Sequence, residues 1–196
     1  MIEPALALLE FNSIAIGIEA GDSMVKRAPV ERIVTGTVQP GHYLVMVTGD
    51  VASVEEAVAA GKMTGQAALA DVVFLPHVHP DVVTALAGDG QSVLSDALGV
   101  VETRTVAASI LAADAGLKGA EVRLVQLRLA DGLGGKGLAL FTGVVADVEA
   151  AVEMGVTAVS PQHLVRQVVI PQLHSEMWLN VKGNGRFGDH FNWGRS

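Results

Sequence analysis

Cysteine is absent from all 196 residues of the chain. This absence excludes disulfide bonds, thiolate catalysis, and zinc or iron–sulfur sites built on cysteine ligands. Aromatic residues are also rare, at 4%, although half of the chain is hydrophobic. The core must therefore consist of Val, Leu, Ile and Ala. Such a composition favours close packing between elements over a roomy pocket for a large ligand.

Positive charge and long apolar runs are scarce as well. Thirteen Lys and Arg stand against 21 Asp and Glu, giving a net charge of −8 at pH 7, so nucleic acid is not expected as a partner. No apolar run reaches the roughly 20 residues needed to span a bilayer, and Met1–Pro4 lacks the basic segment of a signal peptide. We expect no membrane partner, and we expect the surplus hydrophobicity to be buried within the fold or between subunits.

An internal repeat is the most informative feature that is present. Leu44–Val58 has the pattern of a buried strand, a Thr-Gly turn and the start of a helix, and Leu138–Val152 repeats this pattern. Regular self-similarity of this kind indicates one structural unit encoded twice.

The offset between the copies grows from 92 residues at Glu10 to 94 at Thr48. We place the two additional residues in a turn, where Asp131–Lys136 replaces the shorter Gln39–His42. Insertions are tolerated at loop tips, so the copies are predicted to share a fold and to differ at this tip.

Periodicity and capping signals predict alternating strands and helices in each copy. The first copy reads as strand Ala5–Phe11, helix Ile14–Arg27 capped by Ser13, strands Glu31–Val38 and His42–Val47, helix Asp50–Ala70, strand Val72–Leu75 and helix Pro80–Ala87. The second copy restarts at strand Ala97–Thr103 and ends with strand Val168–Ile170 and helix Ser175–Asn180. This order predicts an α/β (α+β) fold with domains at 4–87 and 97–180, a linker at 88–96, and a flexible tail at 181–196.

The glycine-rich segment Gly132–Lys136 invites comparison with a phosphate-binding loop. It lacks the length and the Lys-Ser/Thr ending of a P-loop, and it joins two strands instead of a strand and a helix. A turn that allows close approach of backbones is the better interpretation.

Two histidines, His77 and His79, lie on one side of an extended segment and resemble a metal-binding pair. No third ligand can be assigned, and His174 occupies the place of His79 in the second copy. A repeated structural role, such as capping the helix that follows, is therefore favoured over metal binding.

Glu10 and Glu102 end matching strands and resemble a pair of catalytic carboxylates. No nucleophile or base is linked to either, and a repeated fold places the same residue twice for packing or hydrogen bonding. No Ser/His/Asp pattern, dinucleotide fingerprint or HExxH motif is present, so we predict that the protein is not an enzyme.

Several segments, in two sets that follow the same order, resemble bacterial microcompartment shell domains in tandem. They are Leu9–Ala15, Gly21–Ala28, Leu44–Val58, Val100–Ala108, Ala112–Lys118 and Leu138–Val152. The resemblance covers about Pro4 to Asn180 and is strongest to tandem-domain shell proteins of propanediol-utilisation compartments. Gly132–Lys136 and Ser175–Trp178 contribute to it.

This resemblance implies a fold and an assembly. Each domain is expected to be a ferredoxin-like-derived antiparallel sheet with packed helices, in unpermuted order. Three chains are expected to form a homotrimeric, pseudohexagonal disc that tiles with other shell proteins in the cytoplasm. The pore for small metabolites is expected to be lined by Val38, Gln39, Pro40, Gly41, Asp131, Gly132, Leu133, Gly134 and Gly135. The edge lysines through which discs pack correspond to Lys26 and Lys118.

Two departures from the family pattern limit what is carried over. The propanediol relatives have a cysteine in the first pore loop that supports an iron–sulfur cluster, whereas this chain has Thr37–Gly41 there. No cofactor is therefore expected, and the Gln39 amides are available to hydrogen-bond a polar metabolite. At the edge, His77 and Gln172 stand where the family often has Arg, which puts the tiling geometry in question.

The alternative is a trimeric α/β protein that binds or senses small molecules in clefts between subunits. Sheets or tubes in electron micrographs would favour the shell protein, and discrete trimers with saturable ligand binding would favour the alternative.

Overall fold

A computed structural model describes residues 5–88 and 93–183, which form two domains of the same design. The first domain runs in the order β1 (Ala5–Phe11), α1 (Ile14–Arg27), β2 (Arg32–Val38), β3 (His42–Gly49), α2 (Val51–Gly65), β4 (Leu69–Leu75) and α3 (Pro80–Leu86). The second runs in the order β5 (Ala97–Thr103), α4 (Val106–Gly119), β6 (Arg123–Leu129), β7 (Gly137–Gly143), α5 (Val145–Ala158), β8 (Leu164–Pro171) and α6 (Ser175–Val181). The predicted α+β fold and its tandem repeat are confirmed.

Each domain has a four-stranded antiparallel sheet with the first strand of its copy in the interior. The orders are β2-β3-β1-β4 and β6-β7-β5-β8, and β2 pairs with β3 as the predicted hairpin. Every residue of β1 is buried, which is why its sequence is apolar except at Glu10 and does not alternate with polar residues. The paired helices α1 and α2, and likewise α4 and α5, pack on one face of their sheets.

Side-chain caps begin most of the long helices where the sequence places them. Ser13 accepts a hydrogen bond from the Ile16 amide (3.4 Å), and Thr105 accepts one from Ala108 (3.2 Å). Such caps satisfy amide groups that have no partner inside the helix. The predicted bounds of β1 and α1 are confirmed residue for residue.

The helix predicted over Asp50–Ala70 is wrong at its C-terminal end. Helix α2 stops at Gly65, and a single 3-10 turn follows, with Gln66 at a φ of 40°. The alanine-rich sequence favours a helix, but Leu69 instead pairs with Phe11. Tertiary pairing thus overrides local propensity, and β4 begins three residues before the predicted Val72.

The second domain differs from the first at two places along its β6–β7 hairpin. A bulge lies between Leu124 and Gln126, so Val125 has no partner in β7. The turn is also longer, because seven residues (130–136) lie between the pair Leu129–Gly137 where five (38–42) lie between the matching pair Thr37–Tyr43. The predicted placement of the two additional residues in this turn is confirmed.

The ends of the proposed domains fall partly outside the described residues. Val181, predicted to start the tail, instead ends α6, and the Gln126 amide donates to the carbonyls of Lys182 (2.9 Å) and Gly183 (2.7 Å). Positions 184–196 of the tail and 89–92 of the linker lie outside the described part of the chain. Within that part, no helix is long and apolar enough to cross a bilayer.

Candidate functional site

The turn predicted to line a pore in the first domain is a short β2–β3 connection. The Gly41 amide donates to the Val38 carbonyl (2.9 Å), which closes the turn, and Gln39 and Pro40 are exposed at its tip. Gly41 has a φ of 107°, a conformation that glycine adopts without the steric cost other residues incur.

The corresponding β6–β7 turn is longer and is folded back on itself. The Ala130 amide donates to the Lys136 carbonyl (3.0 Å), and the Leu133 amide donates to the Ala130 carbonyl (2.9 Å). Gly132, Gly134 and Gly135 all have positive φ. The glycines therefore serve the turn geometry, as the sequence indicated.

The two tips meet within one chain. A Cβ atom added to Gly135 would lie 2.8 Å from Pro40 Cδ and 3.1 Å from the Gln39 carbonyl oxygen. Because only a residue without a side chain fits there, the second tip packs directly on the first. The structure thus brings together the two turns that were assigned to one location from sequence.

A buried carboxylate behind the first tip joins the two domains. Glu10 is fully buried. Its Oε1 lies 2.9 Å from His42 Nδ1, and its Oε2 accepts a hydrogen bond from the Val106 amide (2.9 Å) at the start of α4. The predicted hydrogen-bonding role of Glu10 is confirmed, but its partner in the other domain was not foreseen.

The matching carboxylate in the second domain has a different setting. Glu102 Oε1 accepts from Lys136 Nζ (2.7 Å), and both side chains are partly exposed. Lys136 occupies the position of His42, since each immediately follows the tip of its hairpin. The two copies therefore have the same acidic position with different basic partners.

A second polar contact between the domains centres on Asp71 of β4. Its Oδ2 accepts from Thr105 Oγ1 (2.5 Å) and lies 2.8 Å from His163 Nδ1. Thr105 is also the cap of α4, so one hydroxyl both starts this helix and ties it to the first domain. Sequence reasoning did not identify Asp71.

Lys118, predicted to lie at a disc edge, is held in this junction. Its Nζ donates to Asp114 Oδ2 (2.6 Å) and to the His77 carbonyl, and the other oxygen of Asp114 accepts from the His79 amide (2.8 Å). The Lys118 side chain is nevertheless 43% exposed. It therefore fixes the β4–α3 connection of the first domain while its surface remains accessible.

Lys26, the counterpart of Lys118, pairs with Asp22 (2.5 Å), and both side chains are largely exposed. The same i, i+4 pair is thus present in both copies, but only the second is covered by a neighbouring domain.

His79, one of the two histidines considered as metal ligands, and its counterpart His174 are helix caps, whereas His77 contributes only its carbonyl, to Lys118. His79 Nδ1 accepts from the Asp81 amide (3.2 Å), and His174 Nδ1 accepts from the Glu176 amide (3.3 Å). Residues 5–88 and 93–183 contain no cluster of three potential metal-ligating His, Cys, Asp or Glu side chains. The repeated structural role predicted for these positions is confirmed.

An apolar face of α4 is covered, whereas the same face of α1 is open. Ile110 on α4 is 0% exposed, within a core that residues of both domains share, but its counterpart Ile18 is 54% exposed. The neighbouring positions follow the same rule. Ile14 and Val25 are exposed, and their counterparts Val106 and Leu117 are buried.

For the last strand and helix of each domain, the first domain has the covered face and the second domain has the open one. Leu75 in β4 and Val82 in α3 are 5% and 0% exposed beneath the second domain, whereas the corresponding Ile170 and Met177 are 37% and 53% exposed. This open surface borders a cavity of about 450 Å³ over the second sheet. Each domain therefore leaves open the face whose counterpart is buried in the other domain.

These observations coincide with similarity to known proteins. The BMC domain family matches residues 5–78 and again residues 97–173. The bacterial microcompartment shell protein PduT of Citrobacter freundii is 41% identical over 178 residues, which are 90% of this chain and 97% of that protein. The carboxysome assembly protein CcmO of Synechocystis is 29% identical over 194 residues, which cover 89% of this chain and 63% of CcmO.

Solved structures agree with the fold. A microcompartment protein from Desulfitobacterium hafniense has a TM-score of 0.77 at 43% identity, covering 89% of this chain and 98% of that one. A fused, permuted hexameric shell protein of the RMM microcompartment has a TM-score of 0.59 at 21% identity, covering 79% and 83%. With its two matching segments, its repeated sheet and its PduT-like sequence, the chain belongs to the BMC domain family and holds two copies of that domain.

Proposed function

We propose that the protein is a structural component of a bacterial microcompartment shell, acting as a homotrimer that forms a pseudohexagonal tile. The observation that carries this proposal is the pair of open faces, on α1 in the first domain and on β8 and α6 in the second. Their counterparts already pack against each other inside the chain. The proposed domain limits, 4–87 and 97–180, give each unit one face of each kind.

A ring follows from repeating the internal junction between chains. The surface of one domain contacts a different surface of the next, which makes the interface heterologous, and such interfaces close into rings when the rotation allows. Three two-domain chains supply the six units of a hexagonal disc. Burying the open Ile, Val and Met side chains would stabilise it by about 25 cal/mol per Å² of apolar surface.

The contact between the two tips supports a central pore in this ring. Gly135 lies against Gln39 and Pro40, so three copies of each turn would alternate around the axis. Exposed Gln39 amides would offer hydrogen bonds to small polar metabolites. No cofactor is proposed, because the cysteine that supports a cluster in relatives is absent.

Sedimentation and negative-stain imaging of the purified protein test this assignment. We expect trimers that form sheets, alone or with other shell proteins. A stable monomer at tens of micromolar would contradict the ring. Trimers that never assemble further and bind a small molecule saturably would instead favour the ligand-binding alternative, which the shell-protein relatives do not favour.

The exposed Lys26 provides a test of the disc edge. Replacing Lys26 with Asp reverses the charge at an exposed pair, whose loss alone costs only about 0–1 kcal/mol. In the ring Lys26 would take the setting of Lys118, so the substitution also removes one hydrogen bond to the next chain, worth about 0.5–1.5 kcal/mol. We expect the trimer to weaken slightly but persist, while sheets become fewer or smaller in micrographs. Sheets of normal extent in the K26D variant would contradict the edge assignment.

A further inference from the structure

We propose that Arg166 of one chain and Glu19 of the next form an ion pair that selects the pairing of unlike domains. This inference rests on the ring proposed above and names the contact that specifies it. It comes from comparing the internal junction, position by position, with the two open faces that repeat it.

The internal junction contains a small cavity of about 210 Å³. Asp71 of β4 and Leu111 of α4 both line it, together with His163 from the loop before β8. Residues that occupy the positions of Asp71 and Leu111 at the second junction would therefore face the same small space.

The strand registers identify the counterpart of Asp71. Asp71 pairs with Glu10 across β4 and β1, and Arg166 pairs with Glu102 across β8 and β5. Because Glu10 and Glu102 are matching residues, Arg166 stands where the first domain has Asp71.

The helices identify the counterpart of Leu111. Helices α1 and α4 each have 14 residues, starting at Ile14 and Val106. The sixth residue is Glu19 in α1 and Leu111 in α4. An acidic side chain and a basic side chain thus replace Leu111 and Asp71 at the same two places.

Both side chains are available in the single chain. Glu19 and Arg166 are exposed, and neither makes an ion pair within residues 5–88 and 93–183. Glu102 faces Arg166 in register but is already bonded to Lys136 (2.7 Å). An arginine that becomes covered in the ring needs a carboxylate partner, because an unpaired buried charge is costly.

The same four positions disfavour contacts between like domains. If two first domains met, Asp71 would face Glu19, and two carboxylates would repel each other. If two second domains met, Arg166 would face Leu111 and lose its water without gaining a partner. Only the unlike pairings give each charge a partner, because Asp71 then meets Thr105 and His163 and Arg166 meets Glu19. Interfaces commonly obtain specificity in this way.

Charge reversal in the full-length protein tests the pair. The variants are Arg166→Glu, Glu19→Arg and the combination of both. The control combines Arg166→Glu with Glu55→Arg, because Glu55 and its counterpart Glu149 on α5 are both exposed. Circular dichroism verifies that each variant is folded, and sedimentation gives the concentration at which half of its trimer is dissociated.

We expect each single reversal to shift the concentration for half dissociation upward by at least about tenfold. The double reversal is expected to return it to within about threefold of the wild type, and the Glu55 control is expected not to. High salt should reduce this shift only in part, because ions screen covered charges less than exposed ones.

Two different failures can be told apart. If the wild-type protein forms no trimer, the proposed ring is wrong, and the proposed ion pair is wrong as well. If the wild type is a trimer but R166E assembles equally well, or if E19R and E55R rescue R166E to the same extent, the ring stands and the ion pair is wrong.

Discussion

The two domains share one fold but differ in what covers their helices. In the second domain the α4 face is buried by the first domain, while in the first domain the equivalent α1 face is open. The covered copy shows what the open copy needs as a partner. The internal junction is thus a template for the contact that we propose between chains.

The polar groups of the two copies have diverged more than the apolar ones. Glu10 is buried with His42 and the α4 terminus, whereas Glu102 is partly exposed with Lys136. In the proposed ring the apolar faces would allow many pairings of similar domains, and the charges would distinguish among them. Divergence of buried and half-buried charges is therefore the more informative difference between the copies.

A matched pair of substitutions on α4 and α1 gives the most severe test of the difference between the covered and the open face. Ile110→Asp places a charge in the internal junction and should cost about 4 kcal/mol or more of unfolding free energy. Ile18→Asp, at the exposed counterpart, should leave a folded monomer that no longer trimerises. Urea unfolding and sedimentation measure the two effects. Equal loss of folding in both variants would show that the α1 face is not open in the single chain.

A smaller effect distinguishes two neighbouring glycines of the longer tip. Gly134 has a φ of 62° with open space around it, so Gly134→Ala should cost about 1 kcal/mol from backbone strain. Gly135, at a φ of 91°, also meets Pro40 and the Gln39 carbonyl, and Gly135→Ala should cost about 2–3 kcal/mol. The urea concentrations at the midpoint of unfolding measure the difference between the two variants. Equal urea midpoints for the two variants would show that Gly135 is not in close contact with Gln39 and Pro40.

The smallest expected effect concerns the caps of α2 and α5. Asp50 caps α2 by accepting from the Ser53 amide (3.0 Å), but its counterpart Val144 has no cap bond. Val144→Asp should therefore add about 0.5–1 kcal/mol of stability, measured by thermal unfolding. Asp50→Ala should destabilise α2. A neutral or harmful V144D would indicate that the open N-terminus of α5 is already satisfied.

The cap of α2 also has a defined pH dependence. Hydrogen bonds from the Ser53 side chain and amide lower the pKa of Asp50 below its ordinary 3.8. A carboxyl whose pKa is lower in the folded state stabilises the protein above the unfolded pKa. That contribution is lost as the pH falls through the lower, folded value, so the Asp50→Ala effect should vanish in strongly acidic buffer.

Local signals predicted most of the fold. The bounds of β1 and α1, the Ser13 cap and the β2–β3 hairpin all depend on residues close together in sequence. The end of α2 depends on a distant residue, because Leu69 joins the sheet through pairing with Phe11. An alanine-rich segment carries no information about that distant strand.

The junction was less accessible to sequence reasoning. Glu10 accepts a hydrogen bond from the Val106 amide, 96 residues away, and no local sequence pattern near either residue indicates this contact. A signal was nevertheless present in the repeat itself, since Asp71 and Leu111 correspond to Arg166 and Glu19. Changes from acidic to basic and from apolar to acidic at matched positions indicate that the two copies have different neighbours.

The close approach of Gly135 to Gln39 and Pro40 has a consequence for how this gene can evolve. Duplicated segments usually accumulate changes independently, because each affects only its own surroundings. Here a substitution in one half alters the space available to the other. Homologous chains with a side chain at position 135 should therefore carry a compensating change at position 39 or 40, and an alignment of such chains would reveal the two turns as a covarying pair.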